Sequence, residues 1–93
     1  MVRPLEDVRI LDLTSGPAGG IATMILADFG AEVLMIERPG NDPMMALPAS
    51  RMWRRGKRTL PLDLSTAAGL ATLDDLCSGA DVLVCNWRFA ALV

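Results

Sequence analysis

The chain has 93 residues, a formal net charge of −2, 52% hydrophobic residues and a mean hydropathy of +0.36. That length holds one small domain, and the near-balanced charge excludes a global electrostatic pull toward nucleic acid or an anionic membrane. Such an apolar composition in so short a chain predicts surface that a partner or further chain covers, and Asp28 and Glu32 interrupt the greasiest run before it reaches membrane-spanning length.

From the N-terminus, Met1 to Ile10 carries Glu6 and Asp7 where a secretory signal needs an apolar core, so an untargeted cytoplasmic chain is expected. Val8 to Leu13, "VRILDL", is apolar enough for a strand covered on both faces. Three glycines and a proline interrupt it between Thr14 and Gly20. From Ile21, the positions Ile21, Met24, Ile25 and Phe29 follow helical spacing over about 10 residues, and Gly30 stands where a helix end takes positive φ. Glu32 to Ile36 reads as a second buried strand. Pro39 to Trp53 holds three of the six prolines and little periodicity, as a long loop or lid does.

The same pattern then repeats. Arg58 to Leu64 reads as a strand, and Pro61 assigns it to an edge or a strand end because proline cannot donate to the ladder. Ser65 or Thr66 caps a helix whose apolar stripe is Leu70, Leu73, Leu76 and Cys77; Gly79 ends it, and Asp81 to Cys85 forms a further strand. Cys77 and Cys85 thus fall in apolar elements, as buried reduced thiols, and with no histidine present no metal-ligand spacing occurs. Two strand–helix–strand units predict an α/β fold, a Rossmann-like parallel sheet with flanking helices joined by right-handed crossovers.

The turn before Ile21 has two readings. A helix N-terminus after a strand offers unpaired N–H groups to a phosphate or carboxylate, whereas glycines also serve tight turns and close packing. Gly16, Gly19 and Gly20 give G-x-x-G-G, which does not match the dinucleotide G-x-G-x-x-G, although Glu37 stands where a ribose-binding acid would. Arg38 follows that acid at a strand's carboxyl end, where ligands of open α/β sheets gather, and "CNWR", Cys85 to Arg88, occupies the matching end of the last strand. Asn86 brings a donor and an acceptor, Trp87 a stacking surface and Arg88 a charge. Five cations in "RMWRRGKR", Arg51 to Arg58, form either a local anion site or a solvated loop.

Four stretches, "PLEDVRILDLT", "ATMILADFGAEVLMIERPG", "RRGKRTLPLDLST" and "ADVLVCNWR", together resemble the opening segment of the class III CoA-transferases, the CaiB/BaiF family. That family includes formyl-CoA transferase, carnitine CoA-transferase and α-methylacyl-CoA racemase. The resemblance covers nearly the whole chain and implies residues 1–93 as the incomplete N-terminal, CoA-binding portion of the family's large Rossmann-like domain. It implies CoA or acyl-CoA as ligand, two chains interlocked as linked rings, and neither metal nor nucleic acid. Carried across residue by residue, Ala18 matches a backbone position near the thioester end and Arg38 the arginine beside adenine. Leu62 and Leu64 match apolar contacts to the nucleotide, and Asn86 and Trp87 match the pair near pantetheine and phosphates. Lys57 and Arg58 match a basic pair read as fold or electrostatic residues.

Three departures are visible. Gly20 replaces the proline of the family's "AGP", Pro17 replaces a glutamine of the transferases, and "CNWRFA" replaces "ENFRPG". In the transferases the resemblance puts the nucleophilic aspartate downstream of the Asn-Phe motif, where it attacks the acyl-CoA carbonyl to give a mixed anhydride and then an aspartyl-CoA thioester. The racemases use a downstream acid/base pair. Asp12, Asp28, Asp63 and Asp81 match structural positions, so residues 1–93 alone are expected to bind CoA without turnover and to associate through apolar surface. Two other readings stay open: a non-catalytic α/β interaction or CoA-binding module, and a fragment of a dinucleotide-dependent oxidoreductase, against which the missing G-x-G-x-x-G speaks.

Overall fold

The computed structural model describes residues 3–14, 16–38 and 48–85. Strand β1 (Arg9–Asp12) leads into helix α1 (Gly16–Asp28) and strand β2 (Glu32–Glu37). The one-turn helix α2 (Ser50–Trp53) precedes strand β3 (Lys57–Pro61), helix α3 (Ala67–Gly79) and strand β4 (Val82–Val84). The strands pair in the order β3-β2-β1-β4, every pair parallel, with Ile10 opposite both Val33 and Val82, and Val33 opposite Lys57. The chain therefore steps outward from β1 to β3, and α3 carries it back to the far side of β1.

Side-chain alternation along the strands builds three layers. Ile10 and Val33 face α1, where Leu26 and Ala27 pack on them. Leu11, Leu13 and Ile36 face the other way, onto Leu73, Leu76 and Cys77 of α3. Leu11 and Val33 are almost sealed from solvent, and each such side chain contributes about 1.5–3 kcal/mol by burial.

Local chemistry ends the elements. At α1, Gly30 takes φ 106°, Ala31 N–H donates to the Leu26 carbonyl at 3.1 Å and Gly30 N–H to that of Ala27 at 2.9 Å. Those paired bonds form the glycine-dependent helix stop that the sequence predicts. At α3, Thr66 is the cap: its Oγ1 accepts from Gly69 N–H at 3.0 Å and donates to the Asp63 carbonyl at 2.8 Å. Pro61 is the last residue of β3, itself an edge strand among the described residues, so its missing N–H costs no ladder bond.

Several expectations need correction. Helix α1 begins at Gly16, well before Ile21, and takes in the glycine-rich stretch; proline is tolerated in a first turn because that turn's N–H groups have no intrahelical partner. Its buried face is Gly20, Thr23 and Met24, whereas Ile21, Ile25 and Phe29 are exposed, Phe29 to 52%. The helix is apolar on nearly all sides, so spacing alone does not identify the inward face. Leu70 is likewise exposed while Leu73, Leu76 and Cys77 pack inward. Gly79 does not end α3 by its own conformation; it is the last helical residue, and the chain turns extended at Ala80. Trp53 belongs to no loop: it closes α2 and is 6% exposed, while residues 39–47 of the expected lid lie outside the described residues.

Arg55 follows α2 and forks onto Asp28, the last residue of α1, at 2.6 and 3.3 Å. That guanidinium, chiefly by hydrogen bonding, holds the Asp28 carboxyl below its ordinary 3.8. A carboxylate lowered in the folded state stabilises it above the ordinary value and loses the contribution as pH falls through the lowered one. The melting-temperature difference between wild type and Asp28→Asn is therefore expected to be full at neutral pH, to vanish in strong acid, and to shrink with added salt because both partners are half exposed.

Candidate functional site

Because all four strands are parallel, their carboxyl ends share one edge of the sheet. The topology reverses beside β1: α1 leaves it on one face toward β2, and β4 arrives from the other face through α3. Ligands of open α/β sheets settle at such a reversal, outside the carboxyl ends. The first turn of α1 opens there, with Ala18 exposed. Arg38 follows β2 directly and is exposed. Leu62 follows β3, its N–H donating to the Glu37 carbonyl at 2.8 Å, and Leu62 and Leu64 are half-buried against the α3-side core. The strand ends thus bring Arg38 and Leu62 side by side, with Ala18 one strand further along. Asn86 and Trp87, which follow β4 in sequence, lie outside the described residues.

Under this edge lies a sealed polar network. Asp12, the last residue of β1, and Lys57, the first of β3, pair at 3.1 Å with both side chains 0% exposed. Asp12 Oδ1 accepts from Thr14 N–H at 2.8 Å and Thr14 Oγ1 at 2.6 Å, and its Oδ2 accepts from Thr23 Oγ1 at 2.6 Å. Lys57 Nζ also donates to the Gly20 carbonyl at 3.1 Å. The carboxylate is thus saturated by the turn, by helix α1 and by β3, two strands away in the sheet, which is what a charge buried in low dielectric requires.

The glycines of the turn have packing reasons. A Cβ on Gly19 would collide with the Thr14 side chain, its Cγ2 standing 2.7 Å from the site that Cβ would take. Gly20 lets Trp53 Cβ approach to 3.1 Å of the corresponding point, so α2 docks directly on α1. Close packing of α1 against the Thr14 turn and α2 accounts for both residues.

The cationic run is not a single anion site, because four of its five members disperse onto carboxylates while Arg51 is exposed on α2. Arg54 bonds Glu37 at 2.7 Å, Arg55 bonds Asp28, Lys57 bonds Asp12, and Arg58 approaches Glu32 to 3.7 Å. Glu37, the residue at the ribose-acid position, is therefore engaged by Arg54. The four aspartates that the resemblance gives structural positions are also engaged. Asp12 and Asp28 hold cations, and Asp81 Oδ2 accepts from Arg9 N–H at 2.8 Å. Asp63 accepts from the Ser65 hydroxyl at 2.6 Å and backbone N–H at 3.0 Å, which together hold its carboxyl below the ordinary 3.8. Among the described residues no group of His, Cys, Asp or Glu could hold a metal, and no helix is long and apolar enough to cross a membrane.

A groove also opens at the opposite, amino edge, between α3 and the starts of β1 and β2, lined by Arg9, Glu32, Leu34, Asp75, Leu76 and Gly79. It lies far from the reversal of strand order and presents carboxylates to any anion. Sequence reasoning singled out neither the Asp12 network nor Trp53 as organisers of the carboxyl edge. The one signal was the charge at position 12, directly after the apolar pair Ile10 and Leu11.

Residues 5–93 match CoA-transferase family III. The chain is 39% identical to a succinyl-CoA:mesaconate CoA-transferase of Haloarcula hispanica, the alignment covering 90% of this chain and 24% of that protein. It is 40% identical to the human alpha-methylacyl-CoA racemase over 90% of this chain and 21% of the racemase. Among solved structures, a CAIB/BAIF family protein from Brucella suis superposes with a TM-score of 0.87 at 26% identity, covering 99% of this chain and 28% of that one. Rv3272 from M. tuberculosis gives 0.84 at 31% identity, over 97% and 27%. The chain thus spans about a quarter of the length of the relatives it matches.

Proposed function

The chain belongs to CoA-transferase family III, and from that premise we propose that its carboxyl edge holds the nucleotide and pantetheine of CoA or an acyl-CoA, as the N-terminal part of an enzyme that moves CoA between carboxylic acids or inverts an acyl-CoA centre. The observation that carries this reading is the convergence on one edge of Arg38 after β2, Leu62 and Leu64 after β3, and the first turn of α1 with Ala18. A guanidinium stacks on adenine and pairs with phosphate, and two leucines give the ring an apolar wall. The N–H groups of the α1 first turn suit the polar thioester end, and the family resemblance assigns Asn86 and Trp87 to pantetheine and phosphates. The relatives' names support a CoA ester as ligand, and the acyl group is left undetermined.

Assembly into a homo-oligomer in the cytoplasm belongs to the same proposal. Its support is the apolar surface along α1, where Ile21, Ile25 and Phe29 stand one helical turn apart and exposed, with Met52 exposed on neighbouring α2. That surface also suits a non-catalytic interaction module, which would ignore CoA.

Calorimetry with CoA separates the two. Wild type is expected to bind, and Arg38→Ala to lose about 1.5–3 kcal/mol of a charge-assisted contact, a rise in Kd of about 12- to 150-fold. Equal affinities would remove Arg38 from the site, and no binding by wild type would favour the interaction module.

A further inference from the structure

We propose that Asp12 and Lys57 are positioning residues for the acyl end of the site, setting where the first turns of α1 stand; the inference rests on the CoA-binding reading above. Both side chains are fully enclosed, so neither touches ligand. Their reach is through the turn. Asp12 fixes Thr14 by two bonds, to its N–H and its hydroxyl, and Thr14 in turn leaves no room for a Cβ at Gly19. Lys57 grips the Gly20 carbonyl, and Thr23 ties the next turn of α1 back to Asp12. Among the described residues, the side-chain bonds of the pair, other than the one between its members, therefore end in the segment from Thr14 to Thr23 that carries Ala18.

A buried ion pair is a poor device for stability alone, since apolar replacements of similar volume are often neutral or better. What apolar residues do not supply is direction. The Asp12 carboxylate and the Lys57 ammonium together address the turn's N–H, its hydroxyls and its carbonyl, and each bond has a fixed geometry. Lys57 opens β3, whose far end leads into Leu62, so the pair also fixes the α1 turn relative to the strand that serves the nucleotide.

The prediction is a split between the two ends of the ligand. Dissociation constants are measured for adenosine 3′,5′-bisphosphate, which carries the nucleotide end alone, and for acetyl-CoA, on wild type, Lys57→Met and the neutral double variant Asp12→Asn/Lys57→Met. Amide exchange at Gly20 and Thr23 is followed against that at Leu11 and Val33. In both variants the bisphosphate Kd is expected to stay within about two-fold while acetyl-CoA weakens by about ten-fold or more. Exchange should quicken at Gly20 and Thr23 and not in the sheet. If Lys57→Met does not fold, the double variant carries the comparison. Parallel losses for both ligands, no loss at all, or failure of the double variant to fold would show a pair that holds the whole domain and would overturn the inference. If wild type binds neither ligand the CoA reading fails by itself, and unchanged exchange at Gly20 and Thr23 would then overturn the positioning role separately.

Discussion

Asp12→Ala is expected to cost about 3–5 kcal/mol, the penalty for breaking a buried ion pair from one side. The substitution leaves the Lys57 ammonium enclosed with the Gly20 carbonyl at 3.1 Å and no carboxylate within the network, while Thr14 and Thr23 lose their acceptor. A domain of this size holds a total margin near 5 kcal/mol. The variant should therefore keep a margin of only about 0–2 kcal/mol and be up to about half unfolded at room temperature, which urea unfolding followed by circular dichroism measures directly. Asp12→Asn/Lys57→Met removes both charges and should recover most of the loss. Single and double variants of equal stability would show that the cost was cavity and not charge.

Trp53→Ala is the second large effect, about 3–5 kcal/mol for truncating a buried aromatic. Trp53 is packed on α1 where Gly20 lacks a side chain, and it anchors the short helix that delivers the chain into β3. Its loss opens a cavity between α1 and α2 that the backbone of a one-turn helix cannot fill. A tryptophan in a lid would give the opposite result, with unfolding unchanged and only ligand affinity altered.

These two residues also mark where the sequence stopped being readable. The order of elements was legible because β1, β2 and β4 are short apolar runs and the connections between them carry capping signals at Gly30 and Thr66. Pro61 even indicated an edge. The inward face of α1 was only partly legible: Met24 of the expected stripe is buried, but Gly20 and Thr23 share that face while apolar Ile21, Ile25 and Phe29 are exposed. Hydrophobic periodicity finds a helix face only when the buried side is the apolar one.

The charges failed for another reason. A run such as Arg51 to Arg58 looks like one local feature, yet four of its five cations go to Glu37, Asp28, Asp12 and Glu32, each at least 17 positions away in sequence. Pairing across a parallel sheet depends on which strands become neighbours, and local spacing does not carry that information. Arg38 was legible as a cation at a strand's carboxyl end, whereas Leu62, Leu64 and Ala18 were named from resemblance; the parallel sheet sends the ends of β1, β2 and β3, which precede them, to one edge.

The most direct test of the CoA-binding account is a titration of the isotopically labelled chain with CoA, followed by backbone amide shifts in NMR spectra. The account predicts saturable shifts clustered at Ala18, Arg38, Leu62 and Leu64, with Asn86 and Trp87 moving in the same titration and the amino-edge groove of Arg9, Glu32, Asp75 and Gly79 silent. Shifts confined to that groove, or none at millimolar CoA, would contradict it.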